Sequence, residues 1–322
     1  MWIVIAVLML LIGASLAGVA VVGLLRSPAG TGNNPTTVRH DLTGEIVDIV
    51  IRVADYDVII EPRRGTKGVV TSTDTTDKKY CEVTLVDGKL TVQQKDTRAW
   101  YEKLIGFEGE RDRVLHVLLP EGAEINSLDV SATSGDVGVG GDYVQNAPTE
   151  GGHNEEMLTI AMASFASTRI HTTTGDVKML AKTESLYVRS TGGDVEIEGV
   201  QSEGKVSIAT TTGDMELENC TAGEMSLEST TGEISCYRVQ VQDTMYVHAT
   251  SGEVTLRAID VQGDMNVKVT TGDVYVTFVT LRHYFVLDTT TGDVERECAS
   301  DQSGKRCSIV TTTGDIEVKL AG

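Results

Sequence analysis

The sequence is poor in the residues from which most binding and catalytic surfaces are built. Phe, Trp and Tyr make up only 5% of its 322 residues, which argues against a broad aromatic platform for a ligand. Lys and Arg number 27 against 47 Asp and Glu, leaving a net charge of −20, so nucleic acid and anionic lipid headgroups are not expected partners. The six histidines (His40, His116, His153, His171, His248 and His283) show no close metal-ligand spacing and are expected on the surface or in loops. There are only 5 prolines, few stops for extended segments, and the 5 cysteines are too sparse for a dense disulfide framework.

What the chain has in abundance is one motif. Thr-Thr-Thr-Gly-Asp-Val at 172–177 recurs nearly intact at 210–215, 289–294 and 311–316, and in altered form five more times. Its glycines are Gly135, Gly175, Gly193, Gly213, Gly232, Gly252, Gly272, Gly292 and Gly314, and most steps between them are close to 20 residues. A fixed period of this size marks stacked units. Two residues before each glycine stands a threonine, and one residue after it a carboxylate: Asp136, Asp176, Asp194, Asp214, Glu233, Glu253, Asp273, Asp293 and Asp315. Apolar residues alternate on both sides, as in Val206/Ile208 before Gly213 and Met215/Leu217 after it. Alternation with period two predicts strands with one buried face, and the glycine predicts a tight corner between them.

Two short strands cannot bury an apolar face alone. Stacked as rungs they can, because every inward side chain then rests on its equivalents above and below. The expected fold is all-β: a single-domain parallel β-solenoid (β-helix) with rungs of about 20 residues and two strands per rung. An antiparallel meander is the competing arrangement, and the identical offsets in every unit favour the coil.

Residues 2–25 carry no charge and are long enough to cross a bilayer, so residues 1–26 are expected to form one N-terminal transmembrane helix. A cleavable signal peptide is the alternative, since Ala14–Ala17 loosely resembles a cleavage site. Residues 27–37 read as a flexible linker, 38–126 as divergent rungs forming an N-terminal cap, and 127–322 as the regular solenoid, with 141–163 an insertion or degenerate rung. In the cap, Tyr56 takes the glycine's place, and Cys81, Val83, Leu85, Leu90 and Val92 suggest a further rung around Gly88. The chain stops at Leu320-Ala-Gly322 directly after a rung, so this end is expected to be uncapped and open to self-association or a partner.

Ala54-Asp-Tyr-Asp-Val58, Asp87-Gly-Lys-Leu90, the strand ending at Pro120 and the Thr-Thr-Gly-Asp series together resemble the bacterial "putative adhesin" family, also called Toastrack-type, over roughly residues 40–322. The resemblance implies a β-solenoid, often behind one membrane helix, and brings no catalytic residues with it.

The stacked carboxylates are expected chiefly as structural corners, with Asp176, Asp194, Asp214, Asp273 and Asp293 as weak calcium candidates. The constant threonines are expected to form hydrogen-bonded ladders between rungs. Cys298 and Cys307 bracket one corner and are the disulfide candidate; Cys220 and Cys236 lie in adjacent rungs but out of register. Outward Tyr187, Tyr237, Tyr246 and Tyr275 are candidate contact points. The functional expectation is a non-enzymatic, membrane-anchored module on the extracytoplasmic side, adhesin-like, meeting an unidentified protein or glycan at the cell surface. A cell-envelope stress-sensing accessory is the alternative.

Overall fold

The computed structural model describes residues 36–74, 79–96, 113–140 and 163–321. Among them are 27 strands and no helix. The expected anchor at 1–26, residues 97–112 of the expected cap and all but Ala163 of the 141–163 insertion lie outside the described residues.

In chain order, the N-terminal part has β1 (Thr36–Asp41), β2 (Asp48–Val53), β3 (Asp57–Arg63), β4 (Val69–Asp74), β5 (Lys79–Val86), β6 (Lys89–Asp96) and β7 (Val114–Pro120). The central rungs follow as β8 (Glu124–Ala132), β9 (Val137–Val139), β10 (Ser164–Thr172), β11 (Val177–Met179), β12 (Lys182–Gly192), β13 (Val195–Glu198), β14 (Lys205–Thr212), β15 (Met215–Glu218), β16 (Thr221–Ala222), β17 (Glu224–Thr231), β18 (Ile234–Tyr237), β19 (Gln240–Val241), β20 (Met245–Ser251) and β21 (Val254–Val261). The last three rungs are β22 (Met265–Thr271) with β23 (Val274–Phe278), β24 (His283–Thr291) with β25 (Val294–Arg296), and β26 (Lys305–Thr313) with β27 (Ile316–Leu320).

The repeats form a parallel coil. The strand before each corner joins one sheet and the strand after it joins the other, and each pairs in parallel with its counterpart in the neighbouring rung. Like stacks on like: Leu186, Val206, Met225, Met245, Met265 and Cys307 form one inward column, and Val195, Met215, Ile234, Val254, Val274 and Ile316 another, all at most 1% exposed. Burying such columns is what holds the coil together, at about 25 cal/mol per Å² of apolar surface.

Three features differ from the sequence reading. First, the middle rungs have a third wall. Val200, Cys220, Val239 and Ile259, seven residues after their glycines, turn inward, and β16 and β19 pair in parallel beside the end of β21. Second, β5 and β6 are not two sides of a corner. They form an antiparallel hairpin around Asp87-Gly88, where both φ angles are positive (50° and 77°). Asp-Gly is the dipeptide that favours a two-residue hairpin turn. β6 then serves as the first strand of a rung completed by β7, while β4 and β1 close the other sheet with antiparallel pairs.

Third, the rungs at both ends are stacked out of chain order. β2 lies between β6 and β8, so the first rung sits one layer inside the N-terminal end. Likewise β26 lies between β22 and β24, and β27 between β23 and β25. The rung that ends the chain is therefore not the end of the stack. The outermost layer is β24/β25, and its inward positions are poorly covered: Val294 is 45% exposed, whereas Ile316 beneath it is 1% exposed.

Candidate functional site

The corner is the feature repeated most faithfully. Most corner glycines lie against the glycine of the neighbouring layer: a Cβ built on Gly232 would fall 2.1 Å from the Gly213 carbonyl oxygen, and Gly232 also has φ +138°. Glycine is required here because the backbones of adjacent rungs touch. In the first rung Tyr56 does hold the glycine's place, and Gly135 stacks on its carbonyl.

The acids beside the glycines form a hydrogen-bonded ladder. The backbone N–H of seven of the nine corner acids donates to the carboxylate of the neighbouring layer: Asp136 to Asp57 at 3.0 Å, Asp176 to Asp136 at 2.9 Å, then Asp194 to Asp176, Asp214 to Asp194 and Glu233 to Asp214 at 2.8 Å. Beyond a gap the ladder resumes with Asp315 to Asp273 and Asp293 to Asp315, both 2.8 Å. Charge-assisted bonds of this kind offset the repulsion of roughly 1 kcal/mol expected between neighbouring carboxylates in water. The gap falls at Glu233 and Glu253, whose extra methylene carries the carboxylate past the amide; Glu253 instead accepts a bond from the Thr255 hydroxyl at 2.8 Å. Burial, then the charges of Glu253 and Asp214, push the Glu233 carboxyl above its ordinary value.

Asp176, Asp194, Asp214, Asp273 and Asp293 thus lie on one line, and the first four each present an oxygen to a backbone amide. No three or more His, Cys, Asp or Glu side chains converge to hold a metal among the described residues. The constant threonines point outward. The hydroxyls that bind corner carbonyls stand one position earlier, as with Thr210 to Gly213, Ser229 to Gly232 and Thr311 to Gly272.

The remaining candidates are dispersed. Tyr187 and Tyr246 lie on one sheet, and Tyr237 and Tyr275 on the other. Arg169 and Arg238 cover the rings of Tyr187 and Tyr237 at 5.8 and 4.6 Å, and Tyr246 stacks on His248, so the tyrosines build no common platform. Cys298 and Cys307 are not bridged in the structure, and neither are Cys220 and Cys236. Cys307 stacks between Met265 and Phe285 in the inward column, and burial pushes its thiol up to about 12. Burial likewise raises Cys220 to about 11.

His283 was expected on the surface and is instead 1% exposed, packed in the terminal rung against Phe278 and Phe285. An open groove of about 810 Å³ runs beside the central rungs, with Glu45, Glu124, Glu184, Glu203 and Lys182 on its walls. Its signal in the sequence is slight, because these residues lie outside the repeated motif.

No curated protein matches the chain in sequence. Among solved structures, a "putative lipid binding protein" of Parabacteroides distasonis is similar at 12% identity and a TM-score of 0.48, over 91% of this chain and 98% of that one. A "putative adhesin" of the same species (11%, TM-score 0.46, 90% and 98%) and one of Bacteroides fragilis (13%, TM-score 0.43, 91% and 100%) are similar as well. At these scores the likenesses support no statement about function. The sequence profile of one family matches residues 46–319, cap and repeats together, and the chain belongs to that family, Toastrack DUF4097.

Proposed function

We propose that the chain is a non-enzymatic, adhesin-like interaction module, tethered to the cell membrane by residues 1–26 with its solenoid on the extracytoplasmic side. One observation carries the reading: the acids of the corner column are bound rung by rung to their neighbours' amides. Carboxylates so engaged are supports. Asp176, Asp194, Asp214 and Asp273 share one environment, each accepting the amide of the next layer, unlike the contrasted surroundings of a catalytic acid–base pair. A long and repetitive surface suits contact with an extended protein or glycan better than enclosure of a small substrate.

The test is a glycan and matrix-protein array probed with the purified full-length chain, with and without calcium, beside surface labelling of cells that express it. Binding to a defined glycan or protein class together with surface labelling supports the reading. Labelling confined to the cytoplasm, or turnover of a glycan instead of binding, defeats it. Binding that needs calcium would assign the weak cation role to the acid column.

A further inference from the structure

The outermost rung at the C-terminal end is attached differently from the others. The chain leaves the stack after β23 and returns to it in β26, which pairs directly with β22. Residues 279–304 between them fold back as a cover. Its two strands pair only with β26 and β27 among the described residues. Lifting the cover breaks one interface in each sheet, together with the bonds of Val279 to Ile259 and Thr280 to Asp260, and leaves the rest of the stack continuous.

The hold is uneven. β25 is exposed along its length and puts Arg296 at the inward position that Val318, Val276 and Leu256 fill elsewhere. β24 is therefore the firm half, and its anchor is a ring cluster at its start. His283 lies 5.3 Å from Phe278, and Phe285 lies 5.5 Å from Phe278. His283 Nε2 is 3.1 Å from the Gly263 carbonyl oxygen and takes the donor role in that bond. Its Nδ1 is buried and has no hydrogen-bond partner.

A neutral imidazole fits this place. A second proton on Nδ1 would put a buried donor without an acceptor, and a charge taken out of water, against two phenyl rings, a cost that outweighs the attraction of the nearby acids. The charged groups around the ring are Asp260 and Asp264 from the preceding corner, Arg282 on its own segment and Lys305 opposite it on β26. Both acids are already engaged, Asp260 with the Thr280 hydroxyl at 2.7 Å and Asp264 with the Arg306 amide at 3.0 Å. We propose that residues 279–304 form an acid-released cover, latched by neutral His283 packed with Phe285 against Phe278, whose opening bares the apolar column of β26 and β27.

Burial holds the His283 pKa below its ordinary value while the cover is shut. The sign follows from linkage: the latch is at full strength above the ordinary histidine value near 6.5. It weakens as pH falls from there towards the depressed value of the closed form, because the open form takes up the proton first.

Cys307, stacked under Phe285 and fully buried, reports the opening. The experiment uses the full chain with Cys298→Ser, labelled with 4,4′-dithiodipyridine, which reacts in acid, and read by mass spectrometry at pH 7.5 and 5.5. Rates are corrected for intrinsic thiol reactivity. The expected result is labelling of Cys307 several-fold faster at pH 5.5, up to a ceiling of about tenfold for one histidine of ordinary pKa in the open form, with Cys236 in mid-stack still protected. His283→Phe should remove the acid-induced rise, and His283→Gln, uncharged at both pH values, should remove it even where it loosens the cover. Equal rates at the two pH values, a rise that persists in both variants, or joint labelling of Cys236 and Cys307 would overturn the proposal.

Discussion

Replacing Gly232 with alanine tests whether the corner glycines are fixed by backbone angle or by contact between rungs. The new methyl carbon would sit 2.1 Å from the Gly213 oxygen and 2.7 Å from its carbon, so the two rungs must part by about 1 Å to reach ordinary contact. Three hydrogen bonds cross that gap: Gly213 N–H to Thr231 O at 3.1 Å, Met215 N–H to Glu233 O at 2.9 Å and Glu233 N–H to the Asp214 carboxylate at 2.8 Å. Losing them costs about 1 kcal/mol each, and holding alanine at φ +138° adds about 2 kcal/mol. The expected total is about 5 kcal/mol.

Gly65 supplies the control. Its φ is +120° but no atom lies within 4 Å of an added Cβ, so Gly65→Ala should lose only the backbone share, about 2 kcal/mol. Urea unfolding followed by circular dichroism reads both variants, with unchanged m-values showing that the same transition is compared. Equal losses to within about 1 kcal/mol would refute contact between rungs as the reason for the glycine column.

Other consequences follow from the same geometry. Asp194→Ala removes the acceptor for the Asp214 amide and should cost about 1 kcal/mol in urea unfolding; Asp194→Asn keeps an acceptor, relieves charge repulsion and should be near neutral. Ala258 holds φ +54° at the corner where Gly199 has +64°, so Ala258→Gly should raise stability by about 0.5–1 kcal/mol in the same assay. The Glu233 carboxyl is raised, so the folded state binds its proton more readily and stability falls as pH rises from the ordinary glutamate value through the raised one. Glu233→Gln should therefore show a higher urea midpoint at pH 7, an advantage that disappears in acid below the ordinary value. Thiol titration of the purified protein should find 5 free groups in denaturant; finding 3 would show that two of the cysteines are bridged.

The regular part of the fold was open to reading because the repeat and the physics share one period. Alternation at fixed offsets from Gly213 or Gly232 names the inward residues, and parallel stacking follows from like resting on like. Tyr56 in a glycine's place was legible for the same reason. The third wall was missed although Val200, Cys220, Val239 and Ile259 also recur at one offset, because a single apolar position lacks the alternation that marks a strand. The β5–β6 hairpin was missed because Cys81, Val83 and Leu85 alternate equally well in a hairpin and a rung; Asp87-Gly88 was the signal that separates them. The order of the layers was least legible, since interchangeable rungs fit on one another in any sequence. Arg296, the only charge at its position four residues past a corner glycine, was the one mark of the outermost layer.

The out-of-order stacking gives both ends of the stack the same construction with different outcomes. At each end the outermost rung is joined to the chain on both sides, and a rung nearer the chain terminus is held one layer in, so neither β2 with β3 nor β26 with β27 can peel away without first displacing a cover. At the N-terminal end that cover, β6 and β7, is itself crossed by β5 and β4, which close both sheets with antiparallel pairs. At the C-terminal end nothing crosses β24 and β25 among the described residues. The acids Asp293, Glu295 and Glu297 recur along that rim, so a second copy arriving end-on would bring carboxylates against carboxylates. A bare apolar edge would invite such pairing, and an acid-rimmed cover resists it. The same sequence that makes the coil uniform therefore makes its two ends unequal, one closed and the other held by a single layer, and the buried histidine lies in that layer.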